Sequence, residues 1–401
     1  MVNTRKKISS VLHFKWQSWL AEHDETYFAK INLWRDGDLM PPELFEKLSC
    51  SKAGDTFSLR FKSNSLFRHS PENICTVTQN QFFPPAQFRG LKPKVGRFYP
   101  IGFFRCFSGI FSTNPQPVRV ISIDKDTITI DTNNPIARYD LDLYCEVTDV
   151  NEKPAIIGGE CVWWCKRPFE YGPGMQVPLE DAETDFELNS AETFSRTDER
   201  DDREFYSEPR LTTHIDSVCH GHLQALYSQI LPSNSKILDL MSSYQSHIPT
   251  QISCEVTGLG INDAEMKANP ILHDFYVQNL NRDPSIPFPD NTFDAVTCDL
   301  SIEYLVKPLD VMHEIRRVLK KGGITTFSFS DRYFPEKVIN LWESLHDFER
   351  MGYVIEIMRK AGGFGNYKTY SYRGFKRPFD DKHFGKTFLS DPLYVVTAIK
   401  N

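Results

Sequence analysis

Residues 236–262, KILDLMSSYQSHIPTQISCEVTGLGIN, read as two parallel strands with a short helix between them. Lys236 to Leu240 is an apolar run closing on Asp239 and Leu240. A turn of small polar residues follows, and Glu255 to Leu259 is a second apolar run. That is the beginning of a βαβ unit. In a doubly wound sheet a ligand lies beyond the carboxyl ends of the strands, so Met241, Ser242 and Ser243 should face the same pocket as Gly260, Ile261 and Asn262.

The pattern continues downstream. FYVQNL at 275–280 is a short strand, Phe293 to Cys298 a buried one, Leu309 to Leu319 a helix with apolar residues at helical spacing, and Ile324 to Phe329 a further strand. Lys321, Gly322 and Gly323 should stop that helix. YVIEIMR at 353–359 and LYVVTAIK at 393–400 read as two closing strands, and Thr212 to Ile230 as a helix ahead of the unit. Strands alternating with helices predict a mostly parallel sheet covered on both faces.

Composition sets the outer limits. A chain of 401 residues, 40% hydrophobic and 13% aromatic, has material for two or three globular domains. Nine cysteines without a repeated spacing argue against a secreted disulfide framework, and no stretch reaches the ~18 apolar residues of a membrane span. The apolar residues of the basic start are interrupted by His13, Lys15 and Gln17, so the continuous core expected of a signal peptide is missing. These features predict a cytoplasmic protein with no membrane partner. Residues 180–208 hold twelve acidic and three basic side chains, net −9, against −7 for the whole chain. Such a segment predicts a solvated linker. No basic, aromatic-interleaved patch suggests a nucleic-acid partner.

Ahead of that segment, residues 8–22 read as an amphipathic helix, Tyr27 to Trp34 and Asp55 to Lys62 as strands, and Met40 to Leu48 as a helix. Phe82, Phe83, Phe88, Phe98, Phe103, Phe104, Phe107 and Phe111 crowd a proline-rich stretch. Val118 to Ile123 and Thr127 to Asp131 are clear strands. The rings are either the core of an insert or a surface that captures apolar segments. Cys161 and Cys165 flank Trp163 and Trp164, but one pair at one spacing is not a metal site, and no metal is expected.

Two resemblances follow from particular motifs. SPENICTV at 70–77, PKVGRFYPIG at 93–102 and PVRVISIDKDTITIDTNNPIARYDLDL at 117–143 resemble the SlyD-type branch of the FK506-binding prolyl isomerases. There an insert interrupts the isomerase fold, and an Asn-His-Pro-Leu-Ala-Gly motif leads into the last strand. Here Asn134 and Arg138 stand in place of that His and Gly. The short front of the domain lacks the Asp and Phe of the isomerase pocket, so the resemblance implies peptide holding more than isomerisation.

The C-terminal half is similar to the class I S-adenosylmethionine-dependent methyltransferases of the broad type 11 group, through IPFPDNTFDAV, EIRRVLKKGG and the closing strands. The resemblance implies S-adenosylmethionine as cofactor and assigns residues by position. Asp239 matches the acid ending the first strand, while Met241, Ser242 and Ser243 replace the glycines of the next turn. That is either a decayed site or one in which serine hydroxyls and N–H groups at a helix N-terminus take the cofactor carboxylate; the otherwise intact pattern of strands and helices favours the second. Gly258 and Gly260 belong to the second strand, with Gly260 where a ribose-binding acid is usual and Asn262 as its substitute. Asn279 and Leu280 would meet adenine. Ser301 lies past the fourth strand, with Asp299, Glu303 and Tyr304 as catalytic candidates, although methyl transfer relies chiefly on alignment.

The reading is therefore a Rossmann-like α/β methyltransferase with a seven-stranded, mostly parallel sheet at 205–401. An α+β FKBP-like domain precedes it at 25–152, with an insert at about 68–116. Residues 1–24 form an N-terminal helix, and 153–204 an acidic linker. The acceptor would be a polypeptide client or a small molecule. The alternative is a prolyl isomerase or chaperone whose methyltransferase half is a scaffold, and a third reading is an interaction protein with neither activity.

Overall fold

The computed structural model describes residues 6–36, 40–88, 90–152, 166–169, 171–180 and 182–401. The chain forms two compact units, Met1–Phe186 and Glu187–Asn401. Cys161, Trp163, Trp164 and Cys165 lie outside the described residues, as does most of the proposed linker before 166.

The first unit opens with β1 (Lys6–Gln17) and β2 (Ala21–Asn32), then α1 (Leu33–Asp36), α2 (Pro42–Cys50) and β3 (Thr56–Phe61). The expected helix at 8–22 is thus a strand. Ile8, Ser10, Leu12, Phe14 and Trp16 are buried at every second position, and Ser10 on the inner face disguises the two-residue period. A second sheet follows, from β4 (Ile74–Thr78), β5 (Phe98–Pro100), β6 (Pro117–Ile123) and β7 (Thr127–Asp131), before β8 (Leu141–Glu152) and the short α3 (Lys166–Phe169) complete the unit. Strands β2-β1-β8-β3 form one antiparallel sheet, and β4-β7-β6-β5 the other. Phe82, Tyr99, Phe103 and Phe104 pack with Val118, Val120, Ile128 and Ile130. Most of the clustered rings are therefore the inserted sheet's own core, while Phe83 and Phe111 stay exposed.

The second unit contains α4 (Asp202–Phe205), α5 (Ser217–Ile230), β9 (Ser235–Leu240), β10 (Cys254–Gly260), α6 (Asp263–Lys267), β11 (Asp274–Val277), β12 (Phe293–Asp299) and α7 (Pro308–Val318). It closes with β13 (Leu319–Phe329), α8 (Asn340–Ser344), α9 (Asp347–Ala361), β14 (Phe364–Arg373) and β15 (Leu393–Lys400). Its seven strands run β11-β10-β9-β12-β13-β15-β14. β9 to β13 are mutually parallel, and β15 is antiparallel to both neighbours. The chain winds outward from β9 through β10 to β11, then returns to β12 on the other side of β9. This reversal opens a crevice at the carboxyl ends of β9 and β12.

The second unit departs from the sequence pattern in three places. No helix joins β9 to β10: residues 241–253 are turns and bends. The hydroxyls of Ser242 and Ser246 both donate to Asp239, folding the segment back onto the strand it has just left, a local competition that small polar residues win over helix. Residues 353–359 lie in α9 instead of a strand; nearly every residue from Phe348 to Met358 is buried, so the helix shows no amphipathic period. α7 ends at Val318, and β13 begins before Gly322, whose φ of 78° forms a bend within that strand.

The acidic stretch from 187 onward belongs to the second compact unit and is not a free linker. Lys337, fully buried, donates to the Asp198 and Arg200 carbonyls at 3.1 and 2.7 Å and lies 3.2 Å from Asp202, which also takes Arg196 at 2.7 Å. These cations neutralise the carboxylates that would otherwise keep the segment in water.

Candidate functional site

A cavity of about 530 Å³ occupies the crevice, a size that suits a small-molecule ligand. Its floor is the carboxyl edge of the sheet. Leu240 is followed by Met241 with φ 58°, and Asp299 by Leu300 with φ 51°. Both residues border the cavity. Left-handed backbone costs a side-chain-bearing residue ~1 kcal/mol or more, and such strain is concentrated at ligand sites. The turn after β9 therefore takes a glycine-like conformation at Met241 without a glycine.

Asp239 is buried, and its Oδ2 accepts from Ser242 and Ser246, each at 2.6 Å; Thr297 approaches Oδ1 at 3.4 Å. Burial raises its pKa against the opposing effect of these hydroxyls. Ser243 donates to Glu265 at 2.6 Å, and the other Glu265 oxygen accepts from the Arg210 backbone. The serine hydroxyls thus hold carboxylates of the protein, and no helix follows their turn to present its N-terminus to an anion.

Gly260 also has a structural explanation. A Cβ there would overlap the Ser242 carbonyl oxygen, so neither an acid nor any other side chain fits that position. Asn262 does not border the cavity: its Oδ1 caps α6 at the Glu265 N–H, and its Nδ2 donates to the Tyr206 carbonyl. Gly258 is likewise away from the cavity, beneath Leu272. Glu265, three residues beyond Asn262, is the acid that does border it.

Asn279, Leu280 and Ser301 all line the cavity. The Asn279 side-chain oxygen already accepts from the Asn281 N–H at 3.0 Å, and Ser301 donates to the Asp299 carbonyl. Of the catalytic candidates, Asp299 and Tyr304 border the cavity and Glu303 does not. Glu303 is buried behind the wall, its pKa raised to about 8 by desolvation, with Oε2 lacking a partner. The Tyr304 hydroxyl accepts from the Phe334 N–H at 2.9 Å and so fixes the loop after β13. Asp299 Oδ1 accepts from Tyr227 and Ser328, each at 2.5 Å, and the buried Oδ2 has no partner among the described residues. Desolvation, with the nearby Asp239 charge, brings the Asp299 pKa up to about 7.

The remaining wall was not anticipated. Asp202, Tyr206, Arg210 and His214 come from the end of the acidic segment and the lead-in after it, and Arg332, Phe334, Lys382 and His383 from loops flanking the last strands. Arg210 lies 4.7, 5.3 and 4.8 Å from the ring centroids of Phe205, Tyr206 and Phe334, a cation held by aromatic faces. His247 borders the cavity and shares a 2.8 Å Nδ1–Nδ1 hydrogen bond with His220; burial lowers its pKa to about 3, so it is neutral at physiological pH. One signal for Glu265 was present in the sequence, the Asn-x-x-Glu spacing of an N-capped helix.

Residues 242–327 match the family described as a methyltransferase domain. The ubiquinone/menaquinone biosynthesis C-methyltransferase UbiE of Ruegeria sp. (strain TM1040) is 33% identical over 91 residues, 22% of this chain and 33% of that protein. A demethylmenaquinone methyltransferase of Paenarthrobacter aurescens (strain TC1) is 26% identical over 117 residues, 29% of this chain and 44% of that one. The chain thus spans about a third to under half the length of the curated relatives it matches. A solved Thermotoga maritima structure, described as a S-adenosylmethionine-dependent methyltransferase and possible histamine N-methyltransferase, aligns at 15% identity with a TM-score of 0.34. The alignment covers 46% of this chain and 92% of that one. The similarity to a methyltransferase domain falls within the C-terminal unit, and the cofactor it implies is S-adenosylmethionine.

Proposed function

We propose that Glu187–Asn401 is a S-adenosylmethionine-dependent methyltransferase acting in the cavity above β9 and β12. The observation that carries the proposal is the coincidence of three things: the strand-order reversal, the two strand-end acids Asp239 and Asp299, and the span of the methyltransferase match. When bound, the cofactor supplies a methyl group on a positively charged sulphur. Asp299 borders the cavity, and its buried Oδ2 has no partner among the described residues, which suits a cationic ligand group or a proton leaving the acceptor once ligand or side-chain movement brings the two together. Asp239, with both oxygens engaged, holds the turn whose strained Met241 borders the ligand. Tyr304, Phe334 and Tyr206 give the cavity an aromatic wall that excludes water around the reacting groups.

The test is methyl transfer from tritium-labelled S-adenosylmethionine into protein and small-molecule fractions of a cell extract by the full chain. Labelled product that an Asp299→Ala variant fails to form supports the proposal. Labelled cofactor that binds but is never turned over in any fraction contradicts it.

For the N-terminal unit the proposal is an FKBP-like peptide-holding module, with a polypeptide as one possible class of methyl acceptor. The second sheet, inserted between β3 and β8 with Phe83 and Phe111 exposed, is the observation in its favour. Retention of an unfolded, proline-containing client by the full chain, lost in Phe83→Ser/Phe111→Ser, tests it. Equal retention by both forms would remove it.

A further inference from the structure

The connection between β14 and β15 projects large apolar side chains into solvent. Phe379 is 87% exposed, Phe388 74%, Leu389 55% and Phe384 41%, and the Phe379 and Phe384 rings lie 4.9 Å apart. Four such residues within eleven positions form a patch of the kind that marks an interaction surface.

The projection is braced. The Arg377 N–H donates to the Phe388 carbonyl at 3.0 Å, and the Ser390 N–H to the Phe375 carbonyl at 2.9 Å, making a paired stem. The buried Arg377 guanidinium fastens that stem, donating to Asp391 at 2.6 Å, Asp381 at 2.8 Å and the Leu389 carbonyl at 2.9 Å. The rings are therefore held outward by an ordered base.

Charge defines the partner. Lys376, Lys382 and Lys386 are exposed on the same loop, and none forms an ion pair among the described residues. Asp381 and Asp391 are occupied by Arg377, which leaves Asp380 as the loop's one acid without an ion pair among the described residues. A net positive, aromatic projection on a chain of net charge −7 is a local reversal of the molecule's charge. Aromatic rings flanked by lysines suit one surface especially well: the boundary of a bilayer, where rings enter between head groups and ammonium groups meet anionic lipids. Lys382 and His383 of this loop also border the cavity, so what the loop touches lies beside the site.

We propose that the β14–β15 loop docks the protein on an anionic membrane surface and sets the cavity against it. Among the described residues no helix is long and apolar enough to cross a membrane, and this mode of binding requires none. The loop reverses the sequence-based expectation of no membrane partner, and its docking does not depend on methyl transfer.

Co-flotation of the full chain with vesicles of phosphatidylcholine alone, or of phosphatidylcholine with phosphatidylserine, tests the proposal. The wild type should float with the phosphatidylserine vesicles and lose binding as salt is raised. Phe379→Ser and Phe388→Ser should each weaken binding about tenfold, and Lys376→Gln and Lys386→Gln each about fivefold. Unchanged thermal unfolding of the variants shows that the fold is intact. A wild type that stays out of both vesicles, or binds the two equally, overturns the proposal. So does a Phe379→Ser/Phe388→Ser variant that floats like the wild type, or light scattering that shows a dimer lost on that double substitution, which would assign the patch to a second copy of the chain.

Discussion

The carboxyl ends of β9 and β12 are built alike and finished differently. Each strand ends near an aspartate, and each then passes through a left-handed residue, Met241 or Leu300, at the cavity edge. Asp239 is closed off by three hydroxyls, whereas Asp299 retains an oxygen without a partner and has a near-neutral pKa. The first acid shapes the turn, and the second has hydrogen bonds left to make. Position at a strand end therefore does not show how a carboxylate is engaged; its hydrogen bonds do.

The sharpest break in this comparison is Asp239→Ala. Two buried, charge-assisted hydrogen bonds vanish and the Ser242 and Ser246 hydroxyls lose their acceptor, so unfolding in urea should show a loss of about 3–5 kcal/mol. If Asp239 merely waits for ligand, the apo protein will be as stable as the wild type.

Asp299 should behave in the opposite sense. Its folded pKa, about 7, lies above its ordinary value of 3.8, so between these values the native state keeps a proton that the unfolded chain releases. Stability should then fall as pH rises from about 4 to 7, by up to ~4 kcal/mol from this group, and level off above. Asp299→Asn should remove that fall and be the more stable protein at pH 8. A wild type and variant with parallel pH profiles would show that Asp299 is ionised at its ordinary pKa.

Gly260→Ala addresses the β9 side again. The added methyl meets the Ser242 carbonyl, and displacing that turn should cost about 1–3 kcal/mol and weaken cofactor binding. The smallest effect is expected of Met241→Gly. Relief of the left-handed backbone should stabilise the protein by about 1 kcal/mol, less whatever packing the half-buried Met241 side chain contributes. A clear destabilisation would mean that the side chain is retained for its contacts.

Much of the sheet was legible because its strands are apolar runs bounded by turns: β9, β10, β12, β13 and β15 fall where the pattern places them, and α7 shows a helical face. Elements with misleading periods were not. β1 hides its alternation behind the inward Ser10, and α9 is buried on nearly all sides. Cavity residues on the sheet edge, such as Asp239, Asn279 and Asp299, were readable from their place after strands. Tyr206, Arg210, Arg332 and His383 were not, since they reach the cavity from three separated stretches of chain whose meeting depends on tertiary packing. Asn262 was misassigned because a cap and a ribose ligand are both written as a polar residue just past a strand.

The turn after β9, though it has no glycine, should border a working cofactor site. Calorimetric titration of the full chain with S-adenosylmethionine tests it most directly. Saturable binding at one site per chain, weakened by Asp299→Ala and by Gly260→Ala, is the predicted result. No heat of binding to a folded wild-type protein at saturating cofactor would contradict it.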